Sequence, residues 1–217
     1  MTKQQQTIND LQHIKQMMER SSRFISLSGL SGISAGLCAL VGAWVAKAYV
    51  LGQKNFFINY DNALAQAKIG SYSIILNTYL FWIAAATFTT AFISAFFFTW
   101  VKSKKDGTPI WGSTAKRLLI NVSIPIIIGG LFLFKLIQFG TYDLVAPGCL
   151  IFYGLGLINA SKYTLIEIRY LGYAQILIGL INLNFVGYGL YFWALGFGLM
   201  HIAYGVYMWF KYERSIG

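Results

Sequence analysis

Residues 170–210 read YLGYAQILIGLINLNFVGYGLYFWALGFGLMHIAYGVYMWF and contain no Asp, Glu, Lys or Arg. A helix that crosses a bilayer needs about 20 predominantly apolar residues. The stretch is therefore too long for one span and predicts two, joined by a turn at residues 184–187, where Asn and Gly favour a change of direction. We expect these spans at about 166–182 and 189–210.

Four more apolar segments lie upstream of this stretch. They cover about residues 24–46, 72–101, 118–136 and 144–161. The chain is 57% hydrophobic and only 11% charged, whereas an ordinary soluble domain is about 25% charged. The expected fold is all-α: a polytopic bundle of six transmembrane helices over residues 24–210, in which no loop is long enough to form a second domain.

The two ends of the chain are polar. In residues 1–23, apolar side chains recur at helical spacing among Gln, Asp and Lys, namely Ile8, Leu11, Ile14 and Met18. This pattern predicts an amphipathic helix on the cytoplasmic side, lying in the membrane interface. Residues 211–217 form a short cytoplasmic tail.

The basic residues orient the chain. Of the 17 Lys and Arg residues, thirteen fall on one side of the predicted spans: Lys3, Lys15, Arg20, Arg23, Lys102, Lys104, Lys105, Lys116, Arg117, Lys162, Arg169, Lys211 and Arg214. Three fall on the other side: Lys47, Lys54 and Lys68. Because Lys and Arg are enriched in cytoplasmic loops, both termini are expected in the cytoplasm and the protein in a bacterial inner membrane. The basic charge then needs no nucleic-acid partner, and the lipid bilayer is the first expected partner.

The first span carries small residues at four-residue spacing: Ser28, Gly32 and Gly36. Such spacing lets two helix backbones approach closely. We expect these residues to pack against another helix of the same chain, with a second copy of the chain as the alternative partner.

His201 is predicted to lie inside the last span. An ionisable group within a membrane is a candidate functional site; the alternative is a neutral imidazole bonded to a neighbouring Asn, Ser or carbonyl. Asn159 occupies the corresponding position in a weak internal similarity, GLGLIN at 154–159 against GFGLMH at 196–201. Both residues are therefore candidates for an intramembrane polar site.

Lys135 and Asp143 flank the predicted outer turn between the third and fourth spans. The Lys135 side chain can extend to the interface, and Asp143 can cap the fourth span or pair with Lys135. We expect a structural ion pair; the alternative is a site that binds a solute or a proton.

Motifs for several enzyme classes are missing from the sequence. It contains no HExxH, CxxC or Walker pattern, and its only histidines are His13 and His201. We therefore predict no catalytic residue, no metal site and no cofactor.

Residues 18–32, MERSSRFISLSGLSG, lead into a span rich in Gly and Ala. This stretch resembles the start of a family of small membrane proteins from Bacteroidota, most distinctly over residues 10–50, and the six-span plan beyond it is similar. The resemblance implies a membrane protein and assigns no activity to named residues.

Three functions are consistent with these features. The leading hypothesis is a non-enzymatic membrane module that senses the membrane or anchors and regulates a cytoplasmic partner through residues 1–23 and 102–117. The second is a small-solute or ion transporter or channel that uses the intramembrane polar residues. The third is a lipid-modifying enzyme. A polar path that reaches His201 would favour transport, and a sealed apolar core would favour the module.

Overall fold

The computed structural model describes residues 28–51, 79–107 and 110–214. Throughout these ranges the regular structure is helical and no strand occurs, which confirms the all-α prediction for them. Five described helices are long and apolar enough to cross a membrane: Gly29–Ala48, Tyr79–Asp106, Ser113–Gln138, Tyr142–Ala160 and Gly189–Tyr212. The amphipathic helix expected at residues 1–23 lies outside the described residues.

We number the helices in chain order. Helix α1 covers Gly29–Val45 and continues as a π-helix over Ala46–Leu51; α2 is Tyr79–Asp106 and α3 is Ser113–Gln138. A 3-10 turn at Tyr142–Leu144 precedes α4, Val145–Ala160, and α5 is Ile168–Asn182. Helix α6 runs from Gly189 to Tyr212, with a π-helical segment at Ala194–Met200.

The predicted span at 166–182 is a helix, α5, but it is shorter than expected. Its 15 residues extend about 22 Å at a rise of about 1.5 Å per residue, less than the roughly 30 Å hydrocarbon core. Because α5 is this short, it is not among the five candidate spans. The helix starts late because residues 161–167 form tight turns, and it is followed by a turn at Gly187, where φ is +85°.

The helices are arranged around α6 and α4. Helix α1 packs between α2 and α6, whereas α4 packs against α3, α5 and α6. Helices α2 and α3 are the outer members, and large apolar side chains such as Phe88 and Leu131 are exposed on them. A bilayer would cover these surfaces.

Glycines bring α1 and α6 into backbone contact. A Cβ atom on Gly32 would lie 3.1 Å from Gly205 Cα, and one on Gly36 would lie 2.7 Å from the Gly198 oxygen. Only glycine allows this approach without displacing the partner helix. Ser28, by contrast, caps α1, with its Oγ accepting from the Leu30 N–H at 3.2 Å.

A second close crossing joins α4 and α5. A Cβ atom on Gly154 would lie 2.7 Å from the Gly172 oxygen, and one on Gly172 would lie 2.8 Å from the Gly154 oxygen. The two crossings leave α6 between α1 on one side and the α4–α5 pair on the other, and this position determines which of its side chains meet.

Candidate functional site

The π-helical segment of α6 presents a backbone carbonyl to two side chains. A π-helix pairs residues i and i+5, which alters the local use of carbonyl groups and often marks a functional position. The Gly196 oxygen accepts from Gln175 Nε2 at 2.7 Å and lies 3.0 Å from His201 Nδ1. Side chains from α5 and α6 therefore converge on one carbonyl inside the bundle.

Both ring nitrogens of His201 have a partner. A carbonyl oxygen only accepts, so His201 Nδ1 carries the proton that is donated to Gly196. The Tyr153 hydroxyl lies 2.8 Å from His201 Nε2, and it donates to that nitrogen when the imidazole is neutral. The imidazole is therefore hydrogen-bonded at both nitrogens.

Aromatic rings enclose this arrangement, which we call the His201 cluster (Tyr153, Gln175, Gly196 and His201). The Phe197 ring lies 5.1 Å from that of Tyr153 and is stacked on His201 at 6.0 Å, centroid to centroid. Gln175 is fully buried and His201 is 7% exposed. The cluster is a polar centre in which α4, α5 and α6 meet.

Helix α6 has two distinct faces. Gly198 and Gly205 lie against α1. Beside them, side chains of α6 reach towards α4 and the turn before α5: His201 contacts Tyr153, Lys211 contacts Glu167, and Tyr204 lies between these two positions along the helix. The second face carries polar groups along much of the helix.

At one end of the bundle, Glu213 joins three helices. Its Oε1 accepts from the Gly29 N–H at 2.7 Å and lies 3.5 Å from Lys102 Nζ. A carboxylate at a helix N-terminus and a lysine near a helix C-terminus both interact favourably with the helix dipole. The start of α1 and the ends of α2 and α6 therefore meet at this edge.

Glu167 makes a second connection at the same edge. In the turn before α5, its Oε1 accepts from Lys211 Nζ at 2.5 Å and from the Tyr212 hydroxyl at 2.8 Å. Its side chain is 8% exposed. Burial raises the pKa of Glu167, but the hydrogen bonds from Lys211 and Tyr212 outweigh burial, so the pKa lies below its ordinary value. The carboxylate is ionised at neutral pH.

The ion pair expected between Lys135 and Asp143 does not form. Lys135 Nζ donates instead to Gln138 Oε1 at 2.9 Å, a neighbour three residues along the same helix. Lys135 and Asp143 are both exposed on the surface of the bundle. Neither residue belongs to the His201 cluster.

Asn159 also lies apart from the cluster. It is half-buried near the end of α4, and no hydrogen bond between described residues joins its side chain to His201. Tyr153, on the same helix, and Gln175 contact His201 instead. Gln175 had a signal in the sequence, since it is an amide within a charge-free apolar run, but the choice of Tyr153 depends on helix packing.

The first span also contains a short motif that is typical of one enzyme class. Residues 32–36, GISAG, match the G-x-S-x-G pattern of α/β hydrolases, whose serine sits on a strand-to-helix turn. Here Ser34 is inside α1, and its Oγ donates to the Ser31 oxygen at 3.0 Å. His201 is engaged by Tyr153 and Gly196, so in the described part of the chain the motif has neither the structural context nor the base of a nucleophile elbow.

Within the described ranges, no group of three or more His, Cys, Asp or Glu side chains is placed to hold a metal ion. No family model matches this chain, and no curated protein or solved structure matches it either. The family resemblance of residues 18–32 stays a prediction, and function has to be argued from the geometry above.

Proposed function

We propose that the chain is a multi-pass protein of a bacterial inner membrane that crosses the bilayer six times, with both termini in the cytoplasm. Five long apolar helices support the membrane location. The path of α5 supports a sixth crossing. Its start, beside Glu167, meets the end of α6, while the start of α6 at Gly189 faces Ala146 near the start of α4. Helix α5 therefore returns the chain from one end of the bundle to the other.

We infer that the protein is a non-enzymatic module that anchors or regulates a cytoplasmic partner. The observation that carries this inference is the Glu213 contact with Gly29 and Lys102. Helix α1 directly follows the N-terminal segment, and Lys102 begins the basic stretch 102–117. The start of α1 and the start of the basic stretch 102–117 therefore lie at the same edge of the bundle. We propose that this stretch, together with the basic residues of the N-terminal segment, attracts acidic protein surfaces or anionic lipid.

In-cell photo-crosslinking tests this function. A photoreactive residue at Lys105 should give a protein adduct, whereas the same residue at Lys135, at the opposite end of the bundle, should not. Glu213→Gln should lower the Lys105 adduct yield because it weakens the link between α1, α2 and α6. Two results would contradict anchoring of a protein partner: adducts of lipid alone at Lys105, or a Lys105 adduct yield that is the same in Glu213→Gln and the wild type.

Transport of a small solute or ion is the second candidate, and the His201 cluster is the observation that favours it. Intramembrane polar groups that face a bundle interior often line transport pathways. Solute transport requires an intact cluster, so Gln175→Leu should abolish it. The same change should leave the Lys105 adduct unaltered, which separates the two functions.

A further inference from the structure

Five buried side-chain atoms in the described part of the chain have no hydrogen-bond partner. They are Glu167 Oε2, Gln175 Oε1, both amide atoms of Asn182, and the Tyr204 hydroxyl. Every one belongs to α5, to the residue just before it, or to α6. The unpaired polar atoms are therefore concentrated along one helix interface rather than scattered through the bundle.

These atoms extend along the length of the bundle. Glu167, Gln175 and Asn182 are about two helical turns apart and belong to the buried side of α5. The distance from Glu167 to Asn182 along the helix is about 22 Å, compared with a hydrocarbon core of roughly 30 Å. Tyr204 lies about one turn from His201 along α6, in the direction of Lys211 at the edge, which places it between the edge and the His201 cluster.

The chemistry of the unpaired atoms identifies one kind of ligand. Glu167 Oε2 and Gln175 Oε1 only accept hydrogen bonds, Asn182 offers a donor and an acceptor, and the Tyr204 hydroxyl can do both. Water donates and accepts, and buried waters typically bond to about three such groups. Native proteins leave very few buried polar atoms unsatisfied, and water is the ligand whose chemistry suits all five positions.

We propose that a file of water molecules runs along the α5–α6 interface from Glu167, past the His201 cluster, to Asn182, and that it conducts protons. A proton that joins the file at one end displaces another at the far end by exchange of O–H bonds along the waters, so no redox partner is needed. This proposal gives the transport candidate a substrate and is independent of anchoring.

Proton flux into liposomes tests the proposal. The full chain would be reconstituted into liposomes that contain a pH-sensitive dye. A potassium gradient in the presence of valinomycin would drive the proton flux. Asn182→Leu and Tyr204→Phe should each lower the flux by about tenfold, the effect of losing one hydrogen bond of ordinary net strength. Asn184→Leu and Tyr173→Phe are matched controls, because these side chains are exposed, and they should leave the flux unchanged.

Flux no greater than in protein-free liposomes, or equal flux in Tyr204→Phe and the wild type, would overturn the proposal. A second measurement covers variants that fold poorly. If the interface is dry, Tyr204→Phe removes an unsatisfied hydroxyl and should raise the midpoint of thermal unfolding. If the interface is hydrated, the midpoint should not rise. A raised unfolding midpoint in Tyr204→Phe would therefore also overturn the proposal. The Lys105 adduct should persist in Asn182→Leu, so failure here is distinguishable from failure of anchoring.

Discussion

Both nitrogens of the His201 imidazole are hydrogen-bonded, Nδ1 to the Gly196 oxygen and Nε2 to the Tyr153 hydroxyl. The Gly196 oxygen also accepts a hydrogen bond from Gln175 Nε2. Loss of the His201 imidazole would therefore leave the Gly196 carbonyl hydrogen-bonded. The Tyr153 hydroxyl has no such second partner among the hydrogen bonds of the described residues. The pairing with Tyr153 is therefore the contact most sensitive to substitution of His201.

We predict that His201→Leu destabilises the protein by about 1–3 kcal/mol, because the Tyr153 hydroxyl loses its acceptor in a buried site. His201→Gln should cost less, since an amide oxygen can accept the same proton. Unfolding in detergent, followed by circular dichroism, measures both variants. Equal losses would show that shape rather than hydrogen bonding governs this position.

Glu167 gives a prediction about pH. Its folded-state pKa lies below the ordinary carboxyl value, so its contribution to stability is fully present above the unfolded-state pKa of about 4.3 and is lost as the pH falls through the lowered folded-state value. The wild type should therefore lose stability on acidification in this range. Glu167→Gln should remove that part of the loss.

Unfolding midpoints measured between neutral and acidic pH check this expectation. Asp143→Asn is the matched control, because Asp143 is an exposed carboxylate, and it should follow the wild-type profile. A Glu167→Gln profile identical to that of the wild type would assign the acid sensitivity to other groups.

The sequence predicted only part of the site at this scale. His201 stands out because it is ionisable within an apolar run, and that signal needs no knowledge of neighbours. Tyr153 and Gln175 become its partners through the packing of α4, α5 and α6, which composition does not specify. The Lys135–Asp143 expectation failed because closeness in sequence does not determine where a flexible side chain bonds.

At the scale of helices, the α1–α6 crossing depends on glycine. Gly32→Leu should destabilise the protein by about 1–3 kcal/mol or more, since the added side chain meets the α6 backbone. Gly130→Leu is the matched control: it also lies within a long helix, but nothing stands within 4 Å of the position its Cβ would occupy. Thermal stability and yield in detergent distinguish the two variants.

If Gly32→Leu behaved like Gly130→Leu, the close contact between α1 and α6 would be wrong. The spacing of small residues in the first span predicted a tight crossing but gave no partner, since many glycines elsewhere in the chain could have served. The partner helix follows from the fold, where Gly198 and Gly205 face the same side of α6.

Helix α5 shows the limit of reading spans from apolar runs. The charge-free stretch that begins at Tyr170 predicted a helix in the right place. Its start at Ile168 is set by turns in residues 161–167 and by the buried Glu167 carboxylate, which a hydropathy pattern does not register. The sequence therefore indicated the presence of the helix better than its length.

For the whole molecule, the number of crossings determines the location of the C-terminus. Reporter fusions after Lys105, Lys162 and Gly217 should behave as cytoplasmic, and a fusion near Thr141 as periplasmic, because the basic residues favour this orientation. If α5 does not cross the membrane, the fusion at Gly217 should instead be periplasmic while that at Lys162 stays cytoplasmic. This one position therefore decides between five spans and six.

The Glu213 contact also bears on how the protein is made. Gly29 and Glu213 are 184 positions apart in the chain, and α1 packs its glycines against the last of the described helices. A ribosome synthesises α1 well before α6, so α1 lies beside lipid, or beside an insertion factor that shields its glycines, until α6 has been made. The α1–α6 contact can therefore form only after α6 is made, and a nascent chain arrested before α6 would leave α1 with α2 but without α6.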